Sequence, residues 1–199
     1  MAKFKVGITF VLSTYFHAMQ QVLLCQGLQP VDRWFEALQG PLVWRLQPKF
    51  VTIEFYTQDV LAGNGETSYE IARSNIIWSP STSFSELKME DNLLTKGPDI
   101  NSPAVGRRQG LIGFADLNQI AMYMSFNFIF NEGLEEGLYN GSTISVMGRR
   151  PLSNSLQELS IVGGTGVFRL AQGIAVCNTY QSNTAGDTII KYTLYVKYF

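Results

Sequence analysis

The sequence predicts an all-β domain that closes into an antiparallel barrel, and three observations carry that prediction. Several segments alternate apolar and polar residues with period two, breaks rich in glycine and asparagine separate them, and no long amphipathic stretch of helical period follows Pro48. Roughly eight or nine short strands at such spacing fit a sandwich or a barrel, and closure protects the edges that so many apolar strands would expose. At 199 residues, 46% hydrophobic and 16% charged, the chain has enough apolar content for one core and too little charge for disorder.

Residues 1–27 stand apart. Lys3 and Lys5 precede an apolar run from Val6 to Phe16, and Val22 to Leu24 lead into Cys25-Gln26-Gly27, where small residues sit two apart. This is the pattern of a secretory signal cleaved near Gly27. Thr9, Ser13, Thr14, His17, Gln20 and Gln21 interrupt the apolar character, so the segment falls short of the ~18 apolar residues of a spanning helix. Residues 28–48 carry Pro30, Pro41 and Pro48 among Trp34, Phe35 and Trp44, with no sustained period. They form an amino-terminal arm, with room for a short helix at 31–38. The barrel domain is expected over 49–199.

Within it, Val51, Ile53, Phe55, Thr57 and Asp59 share one face of the first strand, opposite Thr52, Glu54, Tyr56 and Gln58. Shorter strands are expected at 70–78, 84–89 and 110–116. Met122, Met124, Phe126, Phe128 and Phe130 then make a long inward face against Tyr123, Ser125, Asn127 and Ile129. Strands at 142–147, 157–162 and 168–176 follow, and Tyr192, Leu194, Val196 and Tyr198 alternate with Lys191, Thr193, Tyr195 and Lys197 at the end of the chain. The breaks are Gly63-Asn64-Gly65, Gly97-Pro98-Asp99, Tyr139-Asn140-Gly141 and Gly163-Gly164-Thr165-Gly166.

Composition limits the chemistry. The only histidine, His17, leaves with the signal, and cleavage after Gly27 leaves Cys177 as the one cysteine. That rules out a Ser-His-Asp triad and argues against haem, copper and zinc, so no metal and no cofactor is expected. Cleavage upstream of Cys25 would let it pair with Cys177; otherwise Cys177 reads as a small buried hydrophobe. Loss of Lys3 and Lys5 takes the net charge from −1 to −3, with no basic patch to attract nucleic acid.

The individual motifs point to structure more than to chemistry. Gly163 to Gly166 lacks the Gly-Lys-Ser/Thr of a phosphate loop and precedes a strand-like Val167-Phe168-Arg169-Leu170, so a hairpin turn is expected. Glu132, Glu135 and Glu136 lack the ordered ligand spacing of a calcium loop and read as a solvated loop. Asn140-Gly141-Ser142 is an acceptable glycosylation sequon, because Pro103 spoils Asn101-Ser102-Pro103. Glu54 and Asp59 fall on opposite faces of their strand and cannot act as a glycosidase pair. Asp59 ends an apolar face, which places it either inside the barrel or at a strand end beside the Ala62-Gly63 turn.

Several blocks, in order, resemble those of plant dirigent proteins. They are Phe55-Tyr56-Thr57-Gln58-Asp59-Val60-Leu61, Asp91-Asn92-Leu93-Leu94-Thr95, Ser102-Pro103-Ala104-Val105-Gly106-Arg107 with Gln109-Gly110, Tyr139-Asn140-Gly141-Ser142-Thr143 and Val162-Gly163-Gly164-Thr165-Gly166-Val167-Phe168. The resemblance covers about Phe50 to Phe199. It implies an eight-stranded antiparallel barrel of the allene oxide cyclase-like, calycin-like kind, trimeric, glycosylated and secreted to the apoplast. It implies stereoselective coupling of phenoxy radicals from monolignols such as coniferyl alcohol, in lignan or lignin formation, with oxidation left to a separate laccase or peroxidase. Two further activities stay open: dehydration of an isoflavanol through a quinone methide, as in pterocarpan synthases, and non-catalytic binding of cell-wall phenolics.

Residue by residue, Asp59 matches the family's aspartate after the first strand and is the implied catalytic acid. Ile112 and Phe114 stand where coupling members carry tyrosines, Arg150 where they carry a second aspartate, and Gln157 where they carry an arginine; these four are the implied substrate-binding positions. The family's carboxy-terminal cysteine is absent, since Phe199 ends the chain.

Overall fold

A computed structural model describes residues 47–75, 81–154 and 156–199. The expected signal, the arm with its helix at 31–38, and Cys25 lie outside the described residues. All of the described residues but Gln47 belong to the compact unit Pro48–Phe199. Its strands are β1 (Lys49–Asp59), β2 (Ser68–Ala72), β3 (Leu87–Thr95), β4 (Ala104–Phe114), β5 (Ala121–Phe130), β6 (Thr143–Pro151), β7 (Leu156–Thr165), β8 (Gln172–Ser182) and β9 (Thr188–Tyr198).

All pairings are antiparallel. The sheet runs β1, β9, β8, β7, β6, β5, β4, β3, and β3 pairs back onto β1 through Tyr56↔Thr95, Thr57↔Leu94 and Gln58↔Leu93. That contact closes an eight-stranded barrel and removes its free edges. β2 is the ninth strand and continues β1 along the same edge of β3, beginning at Ser68↔Glu90. Between them the chain leaves at Val60 and returns at Thr67. The Thr67 amide donates to the Val60 carbonyl at 2.8 Å, and the Val60 amide donates to Thr67 Oγ1 at 3.0 Å, so the excursion is pinned at its neck.

Side chains alternate in and out of the wall. The predicted inward face of β5 is buried throughout, from Met122 at 7% exposure to Phe128 at 0%. Aromatic rings fill one end of the interior. Phe55 meets Phe128 edge-on at 4.8 Å between ring centres, Phe128 meets Tyr192 at 5.0 Å, and Phe130, Tyr139 and Tyr198 surround Phe168.

Several strands depart from the expected limits: β2 spans Ser68–Ala72 where the sequence predicts 70–78, with 76–78 outside the described residues, β6 runs on to Pro151, and β8 is shifted from 168–176 to Gln172–Ser182. β3 and β4 extend across 90–95 and 104–109, through charged residues that resemble loop in the sequence. The expected turn at Gly163 to Gly166 is also displaced: Gly163, Gly164 and Thr165 complete β7, and the chain turns at Gly166–Phe168. Gly166 has φ +62°, and a Cβ there would meet Ser142 Oγ at 2.5 Å, so this position needs glycine twice over.

Candidate functional site

The antiparallel order brings the ends of β1, β4, β6 and β8 together with the starts of β3, β5, β7 and β9 at one end of the barrel. A cavity of about 200 Å³ lies there. Ile112, Phe114, Met122, Met124, Leu61 and Leu152 supply apolar walls; Asp59, Lys88, Glu90, Arg108 and Arg150 supply charge. A larger recess of about 410 Å³, lined by Phe50, Ile174, Tyr195 and neighbours, lies on the outer wall with Lys197 as its single charged side chain. The interior cavity is therefore the candidate site.

Four of the five residues expected from sequence, Asp59, Ile112, Phe114 and Arg150, line this one cavity. Asp59 is the last residue of β1 and borders the cavity, so it stands both at the strand end and at the barrel interior. Its Oδ2 accepts a 3.4 Å bond from Thr188 Oγ1, while its Oδ1 is buried with no donor. Arg150 is 6% exposed, and its Nη2 donates to Thr179 Oγ1 at 3.3 Å. Gln157 is corrected: it does not line the cavity. Its Nε2 donates to the carbonyls of Pro151 at 2.6 Å and Asn154 at 2.7 Å, which ties down the β6–β7 hairpin. Glu54 points outward, bonded to Thr193 and Lys191. Asn140 stands exposed on the connection between β5 and β6.

The sequence reading missed the most buried charges. Glu90 on β3 and Arg108 on β4 form an ion pair at 2.5 Å, with side chains 3% and 0% exposed. The register explains how both fit. Gly110 lies directly across from Glu90 on one side and Phe126 on the other. With no side chain at Gly110, Arg108 can reach diagonally to Glu90, and its guanidinium lies 5.3 Å from the centre of the Phe126 ring. Its Nη1 also donates to Tyr192 Oη at 3.1 Å.

Burial dominates the electrostatics of this cluster. It pushes the Glu90 carboxyl above its usual range; Arg108 opposes that shift, and the nearby Asp59 charge adds to it. Burial also pushes Tyr192 up to about 12 and raises the Cys177 thiol, so both stay protonated near neutrality. Cys177 is free, 1% exposed, and packs as a small hydrophobe beside Arg150. Among the described residues no three His, Cys, Asp or Glu side chains gather as a metal site, and no helix is long and apolar enough to cross a membrane.

A closed antiparallel β-barrel whose interior cavity has apolar walls and a few buried charges is the class of structure these residues define. The model of the Dirigent-like protein family matches residues 50–197. The chain belongs to that family. Dirigent protein 21 of Arabidopsis thaliana is 36% identical over 160 residues, covering 80% of this chain and 82% of that protein. Pterocarpan synthase 1 of Glycine max is 31% identical over 189 residues, 94% of this chain and 98% of that enzyme. A solved pterocarpan synthase dirigent protein superposes with a TM-score of 0.69 at 31% identity, over 77% of this chain and 87% of that one.

Proposed function

We propose that the barrel binds a phenylpropanoid phenol and steers the stereochemistry of phenoxy-radical coupling, acting outside the cell on radicals made by a separate laccase or peroxidase. The observation that carries this reading is the interior cavity, where aromatic and thioether walls from β4 and β5 meet the buried, donorless Oδ1 of Asp59. Walls of that kind hold a ring, and Asp59 orients a hydroxyl.

Orientation supplies most of the selectivity, since about 1.4 kcal/mol between two approaches already gives tenfold. Coupling leaves a quinone methide. A side-chain hydroxyl then adds to its exocyclic carbon; Asp59 takes the hydroxyl proton, and the ring oxygen, now a phenolate, takes a proton in return.

A second reading, dehydration of an isoflavanol, is favoured by the likeness to pterocarpan synthases. About 200 Å³ is below the ~300–1,000 Å³ of sites for drug-sized ligands and suits a single monolignol ring, whereas coupling joins two radicals and an isoflavanol carries three rings. Under the first reading each barrel holds a single radical and presents one face of it to the other.

Incubation of the mature protein with coniferyl alcohol, with and without a one-electron oxidant, and separately with an isoflavanol, distinguishes these readings on a chiral column. One dominant coupling enantiomer, formed only with oxidant, is expected, and Asp59→Asn should reduce that excess at least tenfold. Racemic product at stoichiometric protein would overturn the first reading. Pterocarpan formed without oxidant would establish the second, while tight phenol binding with neither product would leave a binding protein.

A further inference from the structure

Among the described residues, Arg150 is the one cavity-lining cation with no carboxylate within 4.0 Å; Lys88 pairs with Glu86 and Arg108 with Glu90. Its guanidinium has only the 3.3 Å bond to Thr179 and the Cys177 thiol beside it, and its Nε reaches no acceptor. A guanidinium buried to 6% exposure without a counter-charge is costly, and an anion supplied from elsewhere relieves that cost. Asp59, on the same cavity, has the complementary defect, since its Oδ1 is buried without a donor. Asp59 and Arg150 do not pair with each other. The cavity therefore lacks an acceptor at one charged group and a donor at another.

We propose that the ligand is a phenolic acid, its carboxylate held by the Arg150 fork, its ring among Ile112, Phe114 and Met124, and its phenolic hydroxyl donating to Asp59. This rests on the reading that the cavity takes a phenol, and it narrows that phenol from alcohols to acids. An arginine fork matches a carboxylate in geometry as well as charge. The other charged groups facing the site leave Arg150 free for this role. Glu90 is held by Arg108 and pushed by burial toward its neutral form, Lys88 is held by Glu86, and Tyr192 is uncharged.

Three ligands of one ring pattern test this: ferulic acid, its methyl ester and coniferyl alcohol, titrated calorimetrically into the mature protein at about pH 6.5, where the free acid is ionised. Ferulate should bind at least tenfold tighter than ester or alcohol. Arg150→Gln should abolish that preference by weakening ferulate binding at least tenfold, with near-ultraviolet circular dichroism confirming its fold. The ester comparison needs no variant, so it decides the matter even if Arg150→Gln fails to fold. If ester and alcohol bind as tightly as ferulate or tighter, the inference falls and the phenol reading stands. If none of the three binds, both fall.

Discussion

The two ends of the barrel interior are built by the same strands and do different work. β5 shows this along one face: Phe126, Phe128 and Phe130 pack into the ring cluster around Phe55 and Phe168, while Met122 and Met124 line the cavity. At the aromatic end, Phe55, Phe126, Phe128, Phe130 and Phe168 each meet another ring. At the cavity end, buried polar atoms of Asp59, Arg108 and Arg150 lack partners. The ring end carries stability, and the charged end holds groups that cost stability unless something else satisfies them.

Replacement at the ring end should give the largest effect. Phe128→Ala is expected to lower unfolding free energy by about 3–5 kcal/mol in urea titration, with no change in how stability depends on pH. A smaller loss would mean that the rings relax into the space, weakening the contrast between the ends.

Breaking the buried pair comes next. Arg108→Met strands Glu90 and should cost about 3 kcal/mol, whereas Glu90→Leu with Arg108→Met removes both charges and should recover most of it. The pair also has a pH signature. An acid whose folded pKa is raised binds more protons folded than unfolded, so Glu90 makes stability fall as pH rises from about 4.3 toward its higher folded value. The double variant should lose that fall. If it shows the same slope from pH 4 upward, Glu90 is not its source.

Gln157 gives the smallest effect and sharpens the boundary of the site. Gln157→Ala should cost about 1–3 kcal/mol through the two carbonyls it satisfies and leave phenol affinity unchanged. A fall in affinity without a fall in stability would return Gln157 to the binding surface.

The ring end was legible in the sequence because its strands follow the simple rule of apolar inward and polar outward. The inward faces of β5 and β9 fall where their alternation puts them. The charged end inverts that rule. On β3, Lys88, Glu90 and Asn92 lie on the inward-facing register while Met89 is half exposed, so the segment looks like a strand ending at Met89. On β4 the run Arg107-Arg108-Gln109 has the same effect. Arg107 does face outward, bonded to Asp91, and its neighbour Arg108 is wholly buried.

One signal for the pair was present. A hairpin centred on Ile100, one residue past Gly97-Pro98-Asp99, brings residue 90 opposite 110 and leaves opposite charges at 90 and 108 on one face. Family resemblance directed attention elsewhere, to an acid expected at Arg150 and an arginine expected at Gln157. Here the buried acid and arginine that face each other stand on β3 and β4.

The excursion from Val60 to Thr67 has a consequence for how such a barrel diversifies. Its neck is closed by its own hydrogen bonds, and the β1–β3 and β2–β3 registers are held on either side of it. Residues between those points can be lengthened, shortened or exchanged at little entropic cost, since doubling a loop adds only about 0.6 kcal/mol. Leu61, within that segment, touches the cavity. The barrel thus carries an exchangeable piece of its own substrate wall, and loop grafting there could retune the ligand without renegotiating a single strand pairing.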